Sequence, residues 1–241
     1  MKLFRRHILT IIALLLYWPG IFILTHIPIP AVPLFKVRVS DKTLHFFAYF
    51  VLVFLLWCAR NPNTKVNWRK PAVWWILFIV AWYGVMDEWL QGYVGRSPDV
   101  VDFIADLCGA IAALILLSIL NFWTAALIVT GGAIFIFTNI VRANPGDFLA
   151  LPGAIFYLIS YIVFTILWIR WMYHFVPVRV SEPKRLIGAL SLPMGFLILT
   201  DLFSLVATES FSVISTTLSV VGIVSAVFAV YLIPRLRREI S

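Results

Sequence analysis

The chain has 241 residues, 62% of them hydrophobic and only 12% charged, with a mean hydropathy of +0.99. Soluble domains carry roughly 25% charged residues, so this balance excludes a soluble enzyme and places the chain in the bilayer. The net charge of +8 is spread in short clusters beside apolar runs, which suits anionic lipid and excludes a nucleic-acid-binding face.

An apolar helix of about 20 residues covers a hydrocarbon core of roughly 30 Å. Eight such runs follow one another, at 8–25, 43–60, 71–90, 101–120, 122–140, 150–171, 186–206 and 211–233. The expected fold is all-α, a polytopic transmembrane bundle of about eight helices. The first run opens with a basic MKLFRR stretch like a signal peptide, but no small-residue cleavage site follows, so it reads as an uncleaved helix. Between runs one and two lies THIPIPAVPLFKVRVS, where Pro28, Pro30 and Pro33 forbid a regular helix and favour an extended segment lying on the outer membrane surface or packed over the helix ends. NPNTKVNWRK, after run two, reads as a plain polar loop. Cys58 and Cys108 fall inside spans without metal-ligand spacing.

Runs four and five are separated by little more than Asn121, a tight antiparallel hairpin. We divide the chain there, into 1–121 and a further four-helix region, 122–241. The second region is sparse in polar groups: Asn139, Arg142, Asn144 and Asp147 near one loop, His174 in another, and Asp201 near the end of run seven. Its spacing does not repeat the first half, so no internal duplication of the transporter kind is expected.

With a cytoplasmic N-terminus, fourteen of the 19 Lys and Arg residues fall on the cytoplasmic side and five outside, and both termini are cytoplasmic. The acids take the opposite bias. Asp87, Glu88, Asp99, Asp102 and Asp106 are five of eleven acidic residues and lie within twenty positions of one another, at the outer ends of runs three and four.

Helical spacing groups these residues further. In SDKTLHFFAYF, Asp41, His45 and Tyr49 follow at intervals of four and Lys42 is three before His45, so all four share one face. Gln91 is four after Asp87 and three after Glu88. Asp99, Asp102, Asp106 and Gly109 descend run four as one stripe. Ser97, Pro98 and Asp99 read as an N-cap, a first-position proline and a first-turn acid. Capping leaves Asp106 unexplained: it sits more than a turn inside the span, where a carboxylate costs about 2.5–3.5 kcal/mol unless paired or wet.

These residues, Asp41-Lys42-x-x-His45-Phe46 with Tyr49, Asp87-Glu88-x-x-Gln91, Gly95-Arg96-Ser97 and Asp102-x-x-x-Asp106-x-x-Gly109, together resemble the VanZ-like family of bacterial integral membrane proteins over residues 8–121. That family often has Asn at the position of Asp106, and helices five to eight have no counterpart in it. The resemblance implies a multi-pass protein of the bacterial cytoplasmic membrane with a cell-envelope role. Through the family's namesake it also implies a link to antibiotic resistance, against the glycopeptide teicoplanin.

Three functions fit these residues. In the first, an outward-facing polar site binds or modifies an anionic lipid or lipid-linked envelope intermediate. His45 and Glu88 then serve as acid and base, and Asp41, Lys42, Tyr49, Asp87, Gln91, Arg96, Asp102 and Asp106 line the substrate site. A divalent cation held by Asp87, Glu88, Asp99 or Asp102 is the one cofactor this set admits. In the second, the same groups form a non-catalytic structural network, and membrane lipids or other proteins are the partners. In the third, Asp106 and Glu88 carry protons in a transporter or flippase, although the polar groups gather near one face. Signatures such as H-E-x-x-H, a phosphate loop or G-x-S-x-G are missing. Phe103 follows Asp99-x-x-Asp102 where a membrane phosphatidyl transferase has glycine, and His45 alone is too little for a zinc site.

Overall fold

The computed structural model describes residues 2–26, 41–94, 98–143, 147–176 and 182–231. They form eight α-helices in chain order: α1 (Lys2–His26), α2 (Asp41–Arg60), α3 (Pro71–Gln91), α4 (Val100–Ile119), α5 (Phe122–Ala143), α6 (Asp147–Phe175), α7 (Glu182–Thr208) and α8 (Val213–Tyr231). A short 3-10 turn, Gly92–Val94, follows α3, and no strand occurs among the described residues. Helices α2 to α8 each contain a stretch long and apolar enough to cross a membrane, while the apolar part of α1, His7–Ile23, is shorter. The all-α polytopic expectation therefore holds. The expected extended segment before α2 lies outside the described residues.

The chain divides into two compact units, one running to Ala125 and the other from Ala126 onward. In the first, α3 shows how sequence sets burial. Val73, Ile76, Val80, Gly84, Asp87, Glu88 and Gln91 recur at helical spacing and are buried. Trp74, Trp75, Phe78, Trp82 and Trp89 face outward on the opposite side, as lipid contact requires. The face directed inward thus becomes polar over its last two turns.

The closest packing in this unit is α2 against α4, and a glycine sets it. A Cβ built on Gly109 would lie 2.0 Å from the carbonyl oxygen of Phe46, so only glycine permits this approach, the small-residue device of membrane helix pairs. Ala110 and Ala113 continue the small face and are fully buried. At the other end of the helices, the 61–70 loop is not the plain connection its composition suggests. Val66 donates its N–H to Leu117 O at 3.1 Å, Trp68 Nε1 donates to Ser118 Oγ at 3.0 Å, and Lys65 Nζ donates to Ile119 O at 2.6 Å. The loop therefore satisfies the carbonyls at the end of α4, where a cation also suits the helix dipole.

In the second unit α6 and α8 make the close pair. Gly222 of α8 meets the Leu158 carbonyl, 2.7 Å from a built Cβ. Around it Ile134, Tyr157, Tyr161, Phe164, Leu197 and Ile223 form an apolar core.

Buried positions recur at the same helical spacing in the two units. Buried α2 positions His45, Tyr49, Leu52, Val53 and Trp57 have the same spacing as Tyr157, Tyr161, Phe164, Thr165 and Ile169 of α6. Asp102, Asp106, Gly109, Ala110, Ala113 and Leu114 of α4 match Ser215, Ser219, Gly222, Ile223, Ala226 and Val227 of α8. Both close-approach glycines are the tenth residue of their helix, and each meets the carbonyl of the residue after the first matched position, Phe46 after His45 and Leu158 after Tyr157. In α3 and α7, Ile76, Val80, Gly84, Asp87 and Gln91 match Ala189, Pro193, Leu197, Thr200 and Ser204. Glu88 then corresponds to Asp201.

Candidate functional site

The site lies at the end of the first unit where α1 and α3 finish and α2 and α4 begin. Its outer layer is an ion-pair fork: Lys42 Nζ donates to Asp99 Oδ2 at 2.9 Å and to Asp102 Oδ1 at 3.0 Å. Asp99 is also the N-cap of α4, its side chain accepting from the Val101 N–H at 2.8 Å. This corrects the expected Ser97 cap with Pro98 in the first turn. Pro98 precedes the helix, which begins at Val100, and Ser97 lies outside the described residues. The Lys42 ammonium, and then the Val101 N–H, hold the Asp99 carboxyl below the usual carboxylate range.

Beneath this fork is a buried layer. His45 Nδ1 and Asp106 Oδ1 are 3.0 Å apart, with 4% and 1% of the two side chains exposed. Glu88 uses Oε2 to accept the backbone N–H of Asp99 at 2.8 Å, so the end of α3 steadies the entry to α4. Gln91 Nε2 donates to Asp87 Oδ2 at 3.0 Å, and His26 Nδ1 is 3.7 Å from Asp87 Oδ1. Tyr49 is buried, its ring 5.8 Å from that of Tyr83.

Two carboxylate oxygens in this layer, Glu88 Oε1 and Asp106 Oδ2, are buried without a hydrogen-bond partner among the described residues, as is the Tyr49 hydroxyl. Asp106 Oδ2 lies over Gly84, 3.4 Å from a Cβ built there. The Phe103 ring is closer still, 3.2 Å from that Cβ, so glycine at 84 lets Phe103 and the Asp106 carboxylate pack closely against α3. A ligand atom from each of His45, Glu88 and Asp106 lies within 4.8 Å of the others, and the same is true of Asp41, His45 and Asp102.

The structure thus brings His45, Glu88, Asp102 and Asp106 together with Lys42, and places Tyr49, Asp87 and Gln91 in the same buried end of the unit. Asp41 is at its exposed edge, and Arg96 lies outside the described residues. The groups spaced to hold a cation differ from the expected Asp87, Glu88, Asp99 and Asp102: both include His45, and neither includes Asp87 or Asp99. Lys42 is engaged by two acids. Sequence reasoning missed Gly84 and His26. Gly84 was detectable three and four residues before Asp87 and Glu88, on their face; His26 had no such signal.

A separate surface recess of about 670 Å3, lined by Thr64–Lys70 and Ser118, lies at the loop end of this unit and holds none of the carboxylates.

The second unit has its own polar cluster. Arg142 Nη2 donates to Asp201 Oδ1 and, at 3.2 Å, to Ser215 Oγ. Thr216 Oγ1 donates to Asp201 Oδ2 at 2.8 Å, and the Tyr161 hydroxyl meets Thr200 Oγ1 at 3.1 Å. The sequence showed Arg142 and Asp201 as isolated residues, and the fold makes them partners.

Residues 7–121 match the family described as VanZ/LLP1. No curated protein and no solved structure matches the chain.

Proposed function

We propose, taking the VanZ/LLP1-family identity of residues 7–121 as the premise, that the buried polar end of the first unit binds, and is built to modify, the polar headgroup of a lipid or lipid-linked cell-envelope intermediate. The chain is a multi-pass helical membrane protein. On this reading it lies in the bacterial cytoplasmic membrane with both termini cytoplasmic and the site facing outward. The segment to residue 121 is the functional domain, and 122–241 is an added four-helix region.

One observation carries the reading. The second unit has the same buried pattern with Tyr157 in place of His45, Ser219 in place of Asp106 and Ser215 in place of Asp102. Hydroxyls fill those positions and the helices still pack, so packing alone does not demand an imidazole and two carboxylates. A carboxylate near a span is costly unless it has work to do. His45 and Glu88 are the acid and base of this proposal, and Asp41, Lys42, Tyr49, Asp87, Gln91, Arg96, Asp102 and Asp106 surround the headgroup. A link to teicoplanin resistance would follow downstream, from altered handling of the precursor that such glycopeptides bind outside the membrane.

The competing reading is a structural network, favoured by the double engagement of Lys42. Mass spectrometry of lipids co-purifying with the wild type, His45→Ala and Glu88→Gln separates the two. The proposal expects both variants to elute as folded protein with one lipid class depleted. Unchanged lipid profiles, or loss of folded protein in step with loss of lipid, would favour the network. For sidedness, a cysteine at Ser97 in a background lacking Cys58 and Cys108 is expected to react with an impermeant thiol reagent on intact cells; protection until lysis overturns the orientation.

A further inference from the structure

Six carboxylates, Asp41, Asp87, Glu88, Asp99, Asp102 and Asp106, gather at this end of the unit, beside the Lys42 ammonium and the imidazoles of His26 and His45. An anionic headgroup approaching them meets repulsion unless positive charge arrives with it. Within the cluster one place is prepared for such a charge. His45, Glu88 and Asp106 come from three helices, all are more than nine-tenths buried, and Glu88 Oε1 and Asp106 Oδ2 have no partner among the described residues.

We propose that His45, Glu88 and Asp106 form a divalent-cation site that takes a first-row ion of the Mn2+ class. Adjacent ligands of an ion with bonds of about 2.1 Å stand about 3 Å apart and opposite ligands about 4.2 Å. The 3.0 Å His45–Asp106 separation fits adjacent ligands, and a ligand atom of Glu88 lies within 4.8 Å of both, which a small side-chain movement brings to ligand spacing. One imidazole with hard carboxylate oxygens suits Mn2+ better than Ca2+, which takes six to eight oxygens. Water and the headgroup's phosphate oxygens complete the shell.

The alternative group, Asp41, His45 and Asp102, is weaker on two counts. Asp41 is exposed, and Asp102 is already paired with Lys42. The second unit supplies a comparison within the same chain: Tyr157, Asp201 and Ser219 stand at the matching places, and Asp201 is held by Arg142, so no such ion is expected there.

This inference rests on the headgroup reading, but its test stands apart from lipid. Tag-free full-length protein in detergent is stripped with a chelator and titrated with Mn2+, free ion being followed by its electron paramagnetic resonance signal. One equivalent is expected to bind. Glu88→Gln and Asp106→Asn are expected to weaken binding at least about tenfold, whereas Glu209→Gln, which removes an exposed carboxylate of the second unit, leaves it unchanged. Nitrogen coupling from a histidine is expected in the pulsed spectrum of the bound wild-type ion. That spectrum decides the matter if the variants fail to fold. Absence of stoichiometric Mn2+, absence of histidine coupling, or equal affinity in folded Glu88→Gln and Asp106→Asn overturns the site. Mn2+ binding with lipid profiles that do not respond to Glu88→Gln retains the cation site and sinks the headgroup reading. The reverse result does the opposite.

Discussion

Both units place their second and fourth helices in backbone contact through a glycine, and both bury polar groups one to two turns above it. They differ in what those groups are. In the first unit the matched positions carry His45, Glu88, Asp102 and Asp106, with two buried carboxylate oxygens unpartnered among the described residues. In the second they carry Tyr157, Asp201, Ser215 and Ser219, with Asp201 engaged by Arg142 and Thr216. The same scaffold thus supports a charge-balanced pair in one place and an acid-rich layer in another. On the headgroup reading, their difference separates what the fold needs from what a ligand needs.

The sharpest way to break the comparison is to unpair the second unit. Arg142 and Asp201 side chains are 3% and 12% exposed, and removing one partner of a buried ion pair costs about 3–5 kcal/mol. Arg142→Met is therefore expected to lower the melting temperature in detergent severely, and Arg142→Met with Asp201→Leu to recover much of the loss. A neutral Arg142→Met would mean that this cluster is not structural, and the second unit would lose its standing as the reference.

Next come the glycines that both units share. Gly109→Ala drives a methyl group onto the Phe46 carbonyl, and Gly222→Ala does the same, less severely, at Leu158. Overpacking of this kind costs about 1–3 kcal/mol, and the shorter approach at Gly109 puts it at the upper end. Because Phe46 follows His45, separating α2 from α4 also separates His45 from Asp106. Gly109→Ala is thus expected to lose both stability and Mn2+ binding, and Gly222→Ala stability alone. Equal thermal losses from the two, with Mn2+ affinity intact, would sever the link drawn between helix approach and site geometry.

The contrast also explains what the sequence made legible. Eight helices followed from apolar runs, and the membership of the carboxylate cluster followed from intervals of three and four, because both are local regularities. The shared spacing of the two units was hidden for a physical reason. What the units have in common is the spacing of buried apolar and small residues, which any pair of packed helices shows, whereas the residues that catch the eye differ: His against Tyr, Asp against Ser. Likewise, spacing placed Lys42 on the His45 face but carried no sign that Asp99 and Asp102 would occupy it. Arg142 and Asp201 lie 59 positions apart, and only tertiary contact makes them a pair. The capping reading misjudged α4 by two residues because Ser, Pro and Asp all suit a helix start, and the Glu88 carboxylate on the Asp99 N–H, a contact from another helix, fixes the register.

A smaller effect sharpens the comparison by making the first unit more like the second. Asp106→Ser installs the residue found at the matching place, Ser219. Intramembrane hydrogen bonds between side chains average about 0.6 kcal/mol and reach about 1.7 kcal/mol, so the folded protein is expected to lose no more than that, while Mn2+ binding disappears. A loss as large as that of Arg142→Met would show that the His45–Asp106 pair holds the helices together, and the structural reading would prevail.

The smallest expected effect lies at the helix entrances, where the two units use different caps. Asp99 caps α4 through Val101 N–H, and Ser212 caps α8 through Ser215 N–H at 3.3 Å. The carboxyl of Asp99 is held below its usual range, so its contribution to stability is present above the unfolded carboxylate value near 3.9 and is lost as the pH falls through the lower folded value. A serine hydroxyl has no such titration. Acidification is therefore expected to speed hydrogen exchange at Val101 relative to Ser215, and Asp99→Asn is expected to remove that pH dependence. Because the Asp99 side chain is 40% exposed, solvent screens the Lys42 interaction and the shift in overall melting temperature is slight. Parallel acceleration at both amides would instead mean that acid acts on the whole fold, not on the charged cap that distinguishes the first unit's fourth helix.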